Sequence, residues 1–304
     1  MQIALKVDVD TLRGTREGVP ALVAELGRRG VAASFYFSLG PDHTGWALRR
    51  VLRPGFLSKV RRTSVVSHYG LPTLLYGVLL PAPNIARRAA DVLRATRAAG
   101  HETGIHCYDH VYWQDNVAAR GQAWTARQVG LAAAAYRDVF GSAARSHCAA
   151  GWQVNAHLFT LEDELGLDYA SDSRGTHPFL PVFAGVRAAC PQLPSTLPTL
   201  DELIGVDGRD VEGAIDRLLD LTAAAPAAGA HVFTLHAELE GQRLRGPFLR
   251  LVDTWRSRGV ELVTLARLRA QLDPARLPHH SIELGEIEGR SGRLALQGPP
   301  AGPG

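Results

Sequence analysis

Residues 3–39 read IALKVDVDTLRGTREGVPALVAELGRRGVAASFYFSL, and the fold follows from how this stretch changes its period. Ile3, Leu5, Val7 and Val9 alternate with Ala4, Lys6, Asp8 and Asp10, the two-residue repeat of a strand with one apolar and one polar face. A helix is predicted over Glu17–Gly30, with Pro20 tolerated in its first turn and Gly30 at its end, before the β-rich run from Val31 to Leu39. Strand, helix and strand in this order make one βαβ unit. Outward from it the alternation returns: a helix near 85–100 leads into HETGIH (101–106), one around 125–141 into SHCAAGW (146–152), and one near 155–166 into LDYASDS (167–173). A helix at 211–225, the strand HVFTLH (231–236), a helix at 246–259 and a closing strand and helix in 260–272 follow. Repeated helix-then-strand units predict a parallel sheet or barrel.

Lys6, Asp8 and Asp10 share one face of the first strand, and three ionisable groups there are costly to bury unless they pair or bind something. His106 and His110 form an H-x-x-x-H pair where a predicted strand ends, a workable spacing for two metal ligands on one turn. His236 ends another predicted strand. Catalytic groups of α/β barrels gather at the C-terminal ends of strands, so three strand ends that each deliver Asp or His predict one site. Two histidines and one carboxylate suit a divalent ion: zinc by ligand type, with cobalt, nickel or manganese also compatible. One carboxylate and one histidine remain over, the base and acid that amide hydrolysis needs.

Composition bounds the other readings. The chain has 304 residues, 46% of them hydrophobic, enough for a sizeable core, and a formal charge of only +3. Three cysteines, Cys107, Cys148 and Cys190, make no disulfide framework, and MQIALKVDVD carries no secretory signal, so a cytoplasmic location is expected. No seam divides residues 1–272; residues 273–304 read as an extension, with a small hairpin and a Pro/Gly-rich flexible end.

With these residues in place, the chain resembles the polysaccharide deacetylase (NodB homology) family, in Asp8-Val-Asp10, His106 to His110 and Leu235-His236. The resemblance implies an irregular (β/α) barrel, one bound divalent metal held by Asp10, His106 and His110, Asp8 as base and His236 as acid. Val9 separates aspartates that the family usually has adjacent, so the roles of Asp8 and Asp10 are open to exchange. Ala149-Ala150-Gly151-Trp152 stands where the family normally supplies an arginine beside the base, and Lys6, Arg13 and Arg174 are the candidates to replace it. The segments VDVDTLRGTREGVP, FYFSLGPD, GIHCYDHVYWQD, YASDSRG, TLPTLDE and HAELEG resemble a subgroup that deacylates amino sugars carried on undecaprenyl phosphate. Its members deformylate 4-formamido-4-deoxy-arabinose or deacetylate N-acetylhexosamines for lipid A modification, which affects resistance to cationic peptides. That implies a formyl or acetyl group as the one removed, with a deacetylase of a soluble saccharide as the runner-up. Arg13, Trp113, Gln114, Asp172 and Arg174 are the candidate substrate contacts, Arg13 or Arg174 for the lipid phosphate and Trp113 and Gln114 for the sugar. Cys107 reads as packing.

Between His43 and Ala90 there is no acidic residue, while Arg49, Arg50, Arg53, Lys59, Arg61 and Arg62 are interleaved with Trp46, Leu48, Val51, Leu52, Phe56, Leu57 and Val60. This is the composition of a segment lying on an anionic membrane, and residues 46–83 are expected to face the inner leaflet from the cytoplasmic side. The apolar stretch 71–83 is too short to span. The interleaved residues are leucine and valine more than stacking aromatics, so no nucleic acid partner is expected.

Overall fold

The computed structural model describes residues 1–47, 71–226, 228–290 and 292–302. Most of the basic-apolar stretch, residues 48–70, lies outside them.

The first strand is the axis of the molecule. β1 (Gln2–Val9) runs parallel to β2 (Ser34–Ser38) on one side and to β8 (Ala230–His236) on the other, with Asp8 in register with both Tyr36 and His236. From β2 the sheet continues through β3 (Glu102–Cys107), β4 (Ser146–His147) and β5 (Tyr169–Ala170), while β9 (Glu261–Val263) pairs with the start of β1. The alternation seen in the sequence sorts the two faces. Ile3, Leu5, Val7 and Val9 are fully buried beneath helices, in a core shared with Leu22 and Leu26 of α1 (Val19–Arg28), Leu93 of α2 (Ala90–Ala98) and other helical side chains. Ala4 turns inward, with Tyr36, Cys148, Tyr169 and Val232.

β5 and β8 are the ends of the ladder, and an irregular segment bridges them. Leu193 N donates to Ala170 O at 2.8 Å and Ser195 N to Ser173 O at 3.0 Å on one edge, while Thr196 N donates to Val232 O at 3.1 Å on the other. Backbone edges left open would be unsatisfied. The parallel barrel is thus closed by a loop rather than by strands.

The connecting helices are capped as their sequences direct. Asp109 and Asn155 accept from backbone N–H groups in the first turns of α3 (His110–Asn116) and, beyond α4 (Gln122–Phe140), of α5 (Ala156–Glu164). Thr199 and Glu202 form a capping box on the short α6 (Leu200–Leu203), which precedes α7 (Val211–Leu221) and α8 (Arg245–Ser257). A second sheet, in the order β11-β10-β6-β7, joins β6 (Leu180–Phe183) and β7 (Val186–Arg187) to the hairpin of β10 (His279–Gly285) and β11 (Leu294–Pro300). It is tied to the barrel by Arg174 N donating to Ala295 O at 2.9 Å and Gln297 N to Arg174 O at 2.7 Å.

One crossing has no room to spare. The wide helical turn Gly14–Gly18 lies against the segment after β8, and a Cβ on Gly18 would stand 2.0 Å from the Ala237 carbonyl oxygen. Gly18→Ala is expected to destabilise the protein by about 1–3 kcal/mol or more through overpacking; an unchanged urea midpoint would show that the crossing relaxes freely.

Candidate metal and acid–base site

Asp10, His106 and His110 come from two strand ends and converge on one point. Asp10 sits just past β1, His106 near the end of β3, and His110 in the first turn of α3. Asp10 Oδ1 lies 3.2 Å from His106 Nε2 and Oδ2 lies 3.3 Å from His110 Nε2. His106 Nδ1 lies 2.9 Å from the Cys148 carbonyl oxygen, to which only an N–H can donate, and this bond orients the ring with Nε2 toward Asp10. Asp10 Oδ1 is buried and has no hydrogen-bond partner. A buried, orphaned carboxylate oxygen between two imidazole nitrogens is the donor set of a divalent-cation site. Burial alone would raise the Asp10 carboxyl, but His110, His106 and His236 outweigh it and hold it ionised, far below the usual carboxylate range.

Asp8 faces the same space from β1 but is held differently. Lys6 Nζ stands 3.7 Å from Asp8 Oδ2, with the lysine side chain fully buried and also donating to Ser171 O at 3.0 Å. Cys148 Sγ donates to Asp8 Oδ1 at 3.3 Å; burial, then Asp8, push this thiol up, so it is a neutral donor there. Of the three cations considered as neighbours of the base, Lys6 is measured against Asp8, whereas Arg13 pairs with Glu17 at 2.9 Å and Arg174 binds Glu202 at 2.7 Å. Tertiary packing makes this choice, since all three are near in sequence to candidate residues.

His236 ends β8 opposite Asp8. Its Nδ1 is buried without a hydrogen bond, 3.8 Å from Asp201 Oδ1, itself an orphan. Burial would lower the imidazole, but Asp201, Asp10 and Asp8 outweigh it and raise it to about 9, so it carries a proton at neutral pH. Asp201 and two further acids went unread in the sequence. Burial, reinforced by Asp10, pushes Glu238 up to about 8, and burial pushes Glu240 up to about 7. Glu238 accepts from Asp10 N, Thr11 N and Thr11 Oγ1, and Glu240 from His236 N, so each fixes the backbone that carries a site residue. HAELE contains the signal: two acids spaced two apart just after a strand end, the pattern that singled out Asp8 and Asp10.

The substrate-contact candidates divide. Trp113 is 2% exposed, packs on Trp124 and His147, and donates from Nε1 to Gln153 O at 2.9 Å. Asp172 is fully buried and accepts from Ala149 N, His147 Nδ1 and Gln192 Nε2. Each braces the turn at 149–153, Trp113 through Gln153 O and Asp172 through Ala149 N, because an indole that large and a carboxylate with that many donors are better satisfied inside. Gln114 stays on the surface of the site, its amide nitrogen 2.4 Å from where a Cβ on Gly151 would be. Arg174 lies over the Trp152 ring at 4.9 Å, and Arg13 is part-exposed on the turn after Asp10. Cys107 is buried with its sulfur 3.3 Å from Ser38 Oγ, as packing requires.

A parallel barrel with this rim defines the fold class of the polysaccharide deacetylases. A protein of Mycobacterium smegmatis assigned as a polysaccharide deacetylase superposes with a TM-score of 0.64 at 16% identity, covering 94% of each chain. No family model matches the chain. Among curated proteins, one of Shewanella sediminis assigned as a 4-deoxy-4-formamido-L-arabinose-phosphoundecaprenol deformylase is 34% identical over 296 residues, 97% of this chain and 94% of the relative. Its counterpart from Wigglesworthia glossinidia brevipalpis is 28% identical over 287 residues, 93% of this chain and 98% of that protein. The chain belongs to this deformylase family.

His110→Ala is expected to weaken divalent-ion binding by about 100-fold or more, beyond the 10–100-fold typical of losing only an outer partner. Competition against a chromogenic chelator measures it, and unchanged affinity would exclude His110 as a ligand.

Proposed function

We propose that this chain removes the N-formyl group from 4-deoxy-4-formamido-L-arabinose carried on undecaprenyl phosphate, as a metal-dependent amide hydrolase of lipid A modification. The observation that carries the chemistry is the rim arrangement: an Asp-His-His donor set flanked by an ionisable carboxylate and a protonated imidazole on adjacent, registered strands. The substrate follows from the relatives' assigned activity. A soluble saccharide deacetylase shares the rim chemistry, and N-acetylhexosamine on the same lipid is the second substrate to assay.

Asp10, His106 and His110 would hold one divalent ion, zinc by ligand type, with cobalt, nickel or manganese compatible. Bound there, the ion supplies Lewis acidity for an amide carbonyl and a lower pKa for water. Asp8 is the base that takes the proton of the attacking water. The Lys6 ammonium stands 3.7 Å from one of its oxygens, and the Cys148 thiol fixes the orientation of the other. His236 gives its proton to the departing amine, and Asp201 behind it stabilises the charged imidazole. The C–N bond breaks as water's oxygen joins the acyl carbon, releasing formate and the free amino sugar.

The lipid-linked substrate requires access from a membrane face. No helix among the described residues is long and apolar enough to cross a membrane. Support for a peripheral association at the cytoplasmic leaflet comes from the basic-apolar run at 46–83 and from the exposure within it of Val78, Leu79 and Leu80, by 49, 75 and 41%. Reversing Arg49, Arg50 and Arg53 to glutamate is expected to abolish co-sedimentation with anionic vesicles; sedimentation unchanged at physiological salt would remove the membrane from the reading.

Mass spectrometry of lipid-linked formamido-arabinose incubated with the protein tests the activity directly, and no loss of formyl would refute it. Asp8→Asn and His236→Ala are each expected to lower kcat about 10²–10⁴-fold, the range for losing a positioned base or acid. An acid with a pKa of about 9 works while protonated, so activity should fall as pH rises through that value. Asp201→Asn removes the largest contribution raising it and should move this alkaline limb to lower pH; a limb that stays put would disconnect Asp201 from the acid.

A further inference from the structure

The C-terminal hairpin reaches the rim at its turn. Gly289 there has φ +80°, and a Cβ on it would stand 2.1 Å from the Glu202 carbonyl oxygen, so the turn lies directly on α6. The next residue, Arg290, extends over Trp152, its guanidinium 4.4 Å from the ring centroid. Arg174 at 4.9 Å and Lys6 at 5.1 Å approach the same indole, which therefore has three cations around it.

Glu202 neutralises one of them. Its Oε1 takes Arg174 Nη1 at 2.7 Å, and its Oε2 takes the same nitrogen at 3.0 Å and Thr199 N at 3.0 Å. Arg290 reaches it only at 3.4 Å, through Nη1. The other terminal nitrogen, Nη2, turns toward Gly151, 3.6 Å from where a Cβ would be, beside the Gln114 amide nitrogen at 2.4 Å from the same point. Gly151 has φ +64°, and the Gln114 amide takes the place that a side chain there would fill. The charge of Arg290 also reaches the catalytic side: burial would raise Asp201, but His236 and then Arg290 hold it low.

We propose that Arg290, over the Trp152 indole, forms a subsite for the phosphate of a glycosyl phosphate, holding the anion away from the metal donors. This rests on the deformylase reading. In a 4-formamido sugar phosphate the anomeric oxygen and the amide lie at opposite ends of the pyranose, so an amide at the Asp10–His106–His110 centre needs its phosphate held elsewhere. A guanidinium whose carboxylate partner is already taken supplies that contact, and its planar fork matches phosphate oxygens. A hairpin staple would need only the Glu202 contact.

The test is calorimetric titration of the metal-loaded full-length protein with farnesyl phosphate, with farnesol and inorganic phosphate as separate arms. Arg290→Glu is expected to weaken farnesyl phosphate about tenfold or more, as for loss of a hydrogen bond to a charged group, and Arg290→Lys less. Farnesol affinity should change by a smaller factor, and inorganic phosphate should compete with farnesyl phosphate in the wild type. Unchanged farnesyl phosphate affinity in Arg290→Glu with native circular dichroism, equal losses for farnesol, or no competition by phosphate would each overturn the subsite. In turnover the same variant should raise KM for the lipid-linked sugar more than it lowers kcat. Absence of wild-type turnover would count against the deformylase reading, and the binding arm would still decide the subsite.

Discussion

Two carboxylates on the inward face of the central strand, at a depth where water is scarce, impose the arrangement of everything around them. An isolated buried charge is costly enough that a protein either neutralises it or surrounds it with partners. Asp8 receives an ammonium and a thiol, Asp10 two imidazoles. These histidines need their own orientation, hence the Cys148 carbonyl behind His106, and the backbone at Asp10 needs Glu238. The partnering is incomplete at the rim. Asp10 Oδ1, His236 Nδ1, Asp201 Oδ1, Glu238 Oε2 and Glu240 Oε1 are buried and unpaired, and all belong to this rim. Folded chains seldom tolerate so many orphans together, and their concentration marks where a ligand completes the set.

The barrel that holds these groups is irregular for a reason connected to its use. Closing the ladder between β5 and β8 with a loop rather than strands lets residues 195–202 leave the sheet early and bring α6, with Asp201 and Glu202, against the rim. Trp152 lies between that helix and the barrel interior at φ 55°, an uncommon conformation for a large side chain that costs about 1–3 kcal/mol and persists because its indole donates to Ser195 and is enclosed by cations. The Ala149–Trp152 turn has no arginine; the cation that stands 3.7 Å from Asp8 is Lys6, two residues before it on β1.

Similarity and geometry contribute different parts of the functional reading. The solved polysaccharide deacetylase establishes the fold, and the curated relatives place the chain in a family of deformylases. The chemistry rests on distances within this chain. A carboxylate and an imidazole in register on neighbouring strands, beside Asp and His donors that could hold a metal, suit hydrolysis of an amide rather than its binding alone.

How much was legible in the sequence depends on the range of the interaction. The period-two face of residues 3–10, the H-x-x-x-H turn and the strand-terminal His236 are local patterns, and local patterns set which side of an element a residue occupies. From them the parallel α/β architecture and five of the rim residues could be read. The paired acids of HAELE were open to the same reading, whereas Asp201 and Arg290 were not, because each reaches the rim through contacts with partners distant in sequence that no local pattern encodes. For the same reason the burial of Trp113 and Asp172 was not legible: an aromatic and an acid near a site have the same composition whether they face inward or outward. Their orientation, and the choice of Lys6 over two arginines beside Asp8, were decided only when the sheet closed and the cost of desolvation selected which groups could pair.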